Sequence, residues 1–194
     1  MRFSPIAADA ALFKLVNGAC SCRLLDCLMP LVTLAGLGVV QAALCLGMVM
    51  VGWVFERAAW RRAGYAGAAA LLASTAAVHV GKLLWDRPRP LLVLFDVNIV
   101  GSPLFTRSFP SGHTSAAFAA AVACGAFLPR ARWVLLPLAT AVGLSRVYLG
   151  VHFPLDVIAG GLIGGMCGWA ASACIRRGWP AKLTEAEPVA ECVA

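Results

Sequence analysis

Three short clusters hold the residues with chemical potential. In GKLLWDRPRP (81–90), Lys82 is followed by Arg89 and Pro90. Pro88 and Pro90 cannot continue a helix, so the chain breaks near Asp86 and turns back, carrying Arg89 toward Lys82. In FPSGHTS (109–115), Pro110 stops what precedes it and Ser111 suits an N-cap. Gly112 lets a ligand approach a helix N-terminus, whose free N–H groups favour an anion, and His113 projects from that first turn. In SRVYLGVHFPLD (145–156), Arg146 precedes His152, Pro154 opens a helix, and Asp156 follows His152 by four residues. An Asp so placed can accept a hydrogen bond from one imidazole nitrogen, fixing the tautomer and leaving the other nitrogen free to attack.

Each cluster alone has a plainer explanation: a snorkelling Lys, a Ser cap with an interfacial His, an Asp that complements a helix dipole. Arg146 fits such an explanation poorly, since it falls about a turn inside an apolar stretch. Taken together, three cations, a helix N-terminus and two histidines make a site for a tetrahedral dianion. Lys82, Arg89 and Arg146 would neutralise its oxygens, one His would attack phosphorus, and the other would protonate the leaving oxygen. No carboxylate cluster is present to hold Mg²⁺ or Zn²⁺, so neither metal nor cofactor is expected, the cations taking the metal's place.

The elements that must position these residues follow from composition. The 194 residues are 61% hydrophobic and 13% charged. Soluble domains carry roughly 25% charge, so this chain must bury its surface against itself and lipid, as one all-α polytopic membrane domain over 1–180 with a short polar tail over 181–194. The formal charge of +7 forms no basic face with interleaved aromatics, which argues against a nucleic-acid partner.

The uncharged stretch Cys27 to Phe55 exceeds the ~20 residues a crossing needs, so its surplus lies along the interface before a first crossing at Gly38 to Val54. Ala63 to Gly81, Ser108 to Pro129, Trp133 to Leu149 and Leu155 to Ile175 give four more. Before them, Leu12, Phe13, Leu15 and Val16 suggest a short interfacial helix rather than a cleavable signal. With five crossings, FERAAWRR (55–62), PRAR (129–132) and RRGWPAK (176–182) share one face, taken as cytoplasmic once the anion-binding cations are discounted. The three clusters share the opposite, extracytoplasmic face.

Four of the eight cysteines fall in spans, no CxxC pair exists, and a disulfide among Cys20, Cys22 and Cys27 is left open. The run GGLIGGMCG (160–168) spaces small residues for close helix packing.

Lys82-x6-Arg89-Pro90, Pro110-Ser111-Gly112-His113 and Ser145-Arg146-x5-His152-x3-Asp156 resemble the three-part signature of the type 2 phosphatidic acid phosphatase superfamily. The motifs cover Lys82 to Asp156, and the hydrophobic layout extends the likeness over most of the chain. The resemblance implies His152 as nucleophile forming a phosphohistidine, Asp156 as its orienting carboxylate and His113 as general acid. It assigns Lys82, Arg89, Arg146, Ser111 and Gly112 to the phosphate. Many members carry six crossings where this sequence counts five, and the difference falls on the N-terminus. Asp86, Arg87 and Arg107 lie outside the core pattern and are candidates for choosing a head group, while His79 is expected to be packed or hydrogen-bonded.

The expected activity is metal-independent hydrolysis of a lipid phosphate or diphosphate in the bacterial inner membrane, with the site facing the periplasm. Undecaprenyl diphosphate is the first choice, with phosphatidylglycerophosphate, phosphatidate and lipid A 1-phosphate as rivals. A lipid is inferred from the membrane-boundary site and the Leu, Val and Phe of the 91–105 loop. A phosphate-lipid binding or transport protein is the non-enzyme alternative; it would need the cations but not the paired histidines. Vanadium haloperoxidases hold vanadate with similar residues, but resemble soluble helical proteins. Activity is expected to fall when His152 is protonated. The oligomeric state is not legible.

Overall fold

The computed structural model describes residues 5–178, so the 181–194 tail lies outside the described residues. The described chain is helical: α1 (Pro5–Lys14, running on into a π turn at Leu15–Ala19), α2 (Arg23–Leu34), α3 (Gly38–Val54), α4 (Ala58–Leu84), the short α5 (Pro90–Val93), α6 (Gly112–Gly125), α7 (Arg132–Tyr148) and α8 (Pro154–Gly178). The five stretches expected to cross the bilayer are α3, α4, α6, α7 and α8. By length and composition, α4 with 27 residues and α8 with 25 are the described helices able to cross by themselves. The first helical turns bend sharply instead: Ala7–Ala19 and Arg23–Leu34 meet at 117°. The surplus before α3 is therefore a second helix, α2, which the sequence reading placed only as interfacial chain.

α6 sits at the centre, packed on α4, α7 and α8. Its Ala116, Ala117, Ala119, Ala120, Ala121 and Ala123 are all buried, so it has no polar face to turn outward. Small side chains let neighbouring backbones close in. A Cβ on Gly164 of α8 would lie 2.1 Å from the Ser115 carbonyl oxygen, and one on Gly160 would lie 2.5 Å from that of Ser111. Gly168 meets the Ala119 carbonyl in the same way, at 2.7 Å. The small residues at 160–168 thus form a backbone-to-backbone seam, in keeping with the packing reading. Its functional consequence is geometric: the seam fixes the start of α8 against the start of α6, where two of the three clusters lie.

The outer ends of the helices are tied by buried polar groups. Asn17, 1% exposed, donates to the carbonyls of Asn98 and Tyr148 at 2.7 Å each and accepts from the Asn98 N–H. The Tyr148 hydroxyl donates to Asp26 at 2.6 Å. The N-terminal helices are therefore fastened to the loop 94–111 and to the end of α7, the same end of the bundle as the clusters. At the other end lie the basic turns between α3 and α4 and between α6 and α7. Cys20, Cys22 and Cys27 are free thiols. His79 is exposed on α4, not packed as expected, because its side of the helix meets no neighbour.

Candidate active site

α4 ends at Leu84, and the two prolines keep the chain extended until Pro90 opens α5. Arg89, at the N-cap of that turn, is buried and gripped on every side. Its Nε donates to the Thr106 carbonyl at 2.8 Å. One terminal nitrogen donates to the Val151 carbonyl at 2.7 Å and faces His152 Nε2 at 3.4 Å. The other reaches the Thr106 hydroxyl at 3.2 Å and the Arg107 carbonyl at 3.4 Å. Lys82 Nζ donates to the same Arg107 carbonyl at 2.7 Å, so the expected return of Arg89 toward Lys82 takes place around a shared backbone acceptor. Burial lowers the Arg89 pKa from its ordinary value, with Asp156 opposing, and the guanidinium stays charged.

His152 follows a turn at Gly150, whose φ of +77° favours glycine and where a Cβ would sit 2.7 Å from the Asn98 carbonyl oxygen. The Arg146 carbonyl accepts the N–H groups of Val151 and His152, at 3.3 and 3.2 Å, so the end of α7 holds the backbone of His152. The imidazole is buried, with Nδ1 3.5 Å from Asp156 Oδ2 and 3.4 Å from Ser108 Oγ. A guanidinium has no acceptor, so the Nε2 facing Arg89 must present a lone pair. The network therefore assigns the proton to Nδ1, toward Asp156, and leaves Nε2 as the unprotonated nitrogen. Burial, reinforced by Arg89 and Arg146 and opposed by Asp156, pushes the His152 pKa down to about 3. Burial thus favours the neutral imidazole.

Asp156 is fully buried in the first turn of α8 and uses both oxygens. Oδ2 accepts from the Ser108 hydroxyl and from the Phe153 N–H at 2.9 Å, while Oδ1 accepts from Arg87 at 2.7 Å. Its carbonyl accepts the Ser111 N–H at 3.0 Å, joining the second and third clusters directly.

Ser111 stands at the N-cap position of α6 but does not cap it. Its hydroxyl pairs instead with that of Thr114 at 2.9 Å, both side chains being buried. This differs from the expected Ser cap and leaves the first-turn N–H groups without a side-chain acceptor. A Cβ on Gly112 would make only an ordinary contact, with Val78 at 3.7 Å, so protein packing does not demand the glycine there. His113 is half-buried and lines a pocket of about 210 Å³ with Gly36, Ser74 and Val78. The charges of Arg146 and Arg89 act on it. Arg146 donates to the Thr33 hydroxyl of α2 at 2.9 Å, and its buried Nε has no partner among the described residues.

The structure thus unites Arg89, His152 and Asp156 by contact, and brings Lys82 and Ser111 to them through backbone atoms. Ser108, Thr33 and Thr106 carry no recognisable motif and escaped the sequence reading, as did Asp9. Arg87, a candidate for head-group choice, pairs with Asp156. Asp86 and Arg107 form a solvent-exposed pair at the rim, 2.9 Å apart. No group of three or more His, Cys, Asp and Glu side chains converges among the described residues. Beside the cluster, Trp85, Phe109, Phe153, Leu155, Ile158 and Leu162 line an apolar groove of about 670 Å³ that reaches Arg87.

The PAP2 superfamily model matches residues 62–180, a span that contains all three clusters. The chain is 39% identical over 98 residues to the bacitracin transport permease protein BcrC of Bacillus licheniformis, covering 49% of this chain and 48% of that protein. It is 37% identical over 87 residues to the undecaprenyl-diphosphatase of Sulfolobus acidocaldarius, covering 44% and 42%. The chain spans about half the length of these curated relatives it matches. Among solved structures, LpxE of Aquifex aeolicus is similar with a TM-score of 0.73 and 32% identity, over 88% of this chain and 98% of that one. Matched over more than half its length by the family model, and over nearly the whole of a solved relative, the chain belongs to the PAP2 superfamily.

Proposed function

We propose that the chain is an integral membrane phosphatase that hydrolyses a lipid phosphate or diphosphate through a phosphohistidine on His152. The observation that carries this reading is the setting of one imidazole: Nε2 beside Arg89, Nδ1 beside Asp156 and Ser108. Of the five Arg89 N–H groups, the two with the longest contacts, 3.4 Å to His152 Nε2 and to the Arg107 carbonyl, are the ones a phosphate oxygen displaces most cheaply. The phosphate then lies against the attacking nitrogen, with Lys82, Arg146 and the N-terminus of α6 about it. Nε2 attacks phosphorus, the bond to the leaving oxygen breaks, and His113 supplies that oxygen's proton. Water then hydrolyses the phosphorus–nitrogen bond, with His113 now accepting a proton. Asp156 holds the Nδ1 proton and balances the cationic imidazole ring of the intermediate. The charge a metal would supply comes from the three cations.

A lipid substrate follows from the apolar groove beside Arg87 and from the loop, where Leu92, Val93, Phe95 and Phe105 are exposed, Phe95 at 90%. On a reading of five crossings by α3, α4, α6, α7 and α8, this loop and the site lie at the extracytoplasmic boundary of the bacterial inner membrane. The two N-terminal helices lie along that surface. Undecaprenyl diphosphate is the first-choice substrate, ahead of phosphatidylglycerophosphate, phosphatidate and lipid A 1-phosphate. A transport or binding protein has no use for the Asp156 and Ser108 contacts to Nδ1, and that asymmetry favours the enzyme.

Purified protein in detergent with excess EDTA is expected to release phosphate from undecaprenyl diphosphate faster than from the three rivals, and vanadate is expected to inhibit. Metal dependence contradicts the cation mechanism, and a faster rival reassigns the substrate. For orientation, Phe95→Cys is expected to react with a membrane-impermeant thiol reagent from the periplasmic side; reaction from the cytoplasmic side alone overturns it.

A further inference from the structure

We infer that Arg87 and Asp9 form a positioning relay that makes the N-terminal helix α1 part of the catalytic apparatus; this rests on the reading of His152 as nucleophile. Arg87 sits two residues before Arg89, outside the three motifs. Its guanidinium bridges two carboxylates: one terminal nitrogen donates to Asp156 Oδ1 at 2.7 Å, the other to Asp9 Oδ2. The plane lies over the Phe153 ring, 4.3 Å from its centroid. The Asp9 and Asp156 side chains are 1% and 0% exposed. Asp9 Oδ1 in turn accepts the Leu155 N–H at 2.9 Å, in the first turn of α8. One turn further along α1, Phe13 packs on Phe153 with centroids 5.5 Å apart.

The division of labour at Asp156 gives this bridge its purpose. Oδ2 serves His152, Ser108 and the Phe153 N–H, while Oδ1 receives Arg87. Arg87 therefore sets the rotation of the carboxylate that orients the nucleophile, and Asp9 sets Arg87. The Arg87 carbonyl also accepts the Ser108 N–H at 2.8 Å, so the same residue places a second partner of His152. A buried ion-pair triad adds little net stability, because desolvation offsets the attraction, so its value lies in geometry. A fork of two terminal nitrogens spans two carboxylates at fixed separation, which a Lys ammonium does not.

The test compares wild type with Asp9→Asn, Arg87→Lys, Arg87→Gln and Asp9→Asn/Arg87→Gln, each checked for thermal unfolding in detergent. Arg87→Gln is expected to lower kcat by up to about 100-fold, the cost of a misplaced nucleophile, with KM and vanadate inhibition nearly unchanged. Arg87→Lys is expected to recover part of that loss. Asp9→Asn is expected to give a smaller fall in kcat, and the double variant to be no worse than Arg87→Gln alone. Weakened vanadate inhibition with kcat preserved would make Arg87 a phosphate or head-group ligand and overturn the relay. So would independent, additive losses in the double variant. Asp9→Asn and Arg87→Lys keep the test open if Arg87→Gln does not fold. Retained activity in His152→Ala removes the underlying reading, whereas its loss beside an unaffected Arg87→Gln defeats the relay alone.

Discussion

The two histidines of the site are housed in opposite ways. His152 is buried, its backbone N–H bonded to the end of α7 and both ring nitrogens faced by side chains. Asp156 behind it has every oxygen engaged. His113 is half-exposed beside an open pocket, and its neighbour Arg146 carries a buried Nε without a partner among the described residues. A buried polar group left unbonded costs about 1–3 kcal/mol, so the His113 side holds a cost that an anion would relieve. The half around His152 is finished by the fold; on the proposed mechanism, the half around His113 is completed by substrate. That division suits a two-step reaction, in which the attacking nitrogen must be rigid while the acid must serve both a departing alcohol or phosphate and an arriving water.

Breaking the finished half should cost most. His152→Ala is expected to lower kcat by about 10⁴-fold or more with the fold intact, since removing a nucleophile leaves only binding and electrostatic catalysis. Phosphate-release assays and thermal unfolding decide it, and full activity would remove the mechanism. His113→Ala should cost about 10²–10⁴-fold, and the loss should shrink for substrates whose leaving group needs no proton. A loss independent of the leaving group would deny His113 the role of acid. Arg146→Gln is expected to weaken vanadate inhibition and raise KM, by roughly ten- to a hundredfold, because the lost partner is a charged one. An effect confined to kcat would instead place Arg146 with the His152 backbone.

The pH dependence sharpens the contrast further. With its pKa pushed to about 3 by burial, His152 keeps its neutral, nucleophilic form as pH falls through 6 and 5. The sequence expectation of an activity loss from protonated His152 is thereby moved to pH values near 3. A fall in kcat/KM between pH 5 and 7 is then expected to follow the second ionisation of the substrate phosphate, near pH 6, and to shift with a more acidic analogue. A limb near 6.5 that ignores the analogue would mean His152 titrates normally. The smallest expected effect lies away from the site: Gly164→Ala should destabilise by about 1–3 kcal/mol, since its Cβ meets backbone in the α6–α8 seam. An unchanged unfolding temperature would show that the seam can yield.

Local chemistry explains what could be read in advance. Pro88, Pro90, Pro110 and Pro154 each force a break or a helix start, and charges at the ends of apolar stretches mark where helices stop. The placements of α3, α4, α6, α7 and α8 therefore followed from the sequence, as did the meeting of Arg89, His152 and Asp156. The partners that hold these groups were hidden for an equally physical reason. Ser108, Thr33 and Thr106 are ordinary hydroxyl residues that matter only through contacts distant in sequence, such as the 2.9 Å bond from Arg146 to Thr33. Asp9 left one faint signal, an acidic residue within the otherwise apolar start of α1. Ser111 does stand at the expected N-cap position, but capping preference describes an isolated helix end, and at this one its hydroxyl pairs with the buried hydroxyl of Thr114.

The central claim is that His152 Nε2 takes the phosphoryl group. Protein mixed with ³²P-labelled lipid diphosphate in detergent, quenched into alkali within the first turnover and digested for peptide mapping, reports this directly. The account predicts a label on the His152 peptide that survives alkali, is lost in acid, and is absent from His152→Ala. A label that survives acid, or one mapping to another residue, would contradict it.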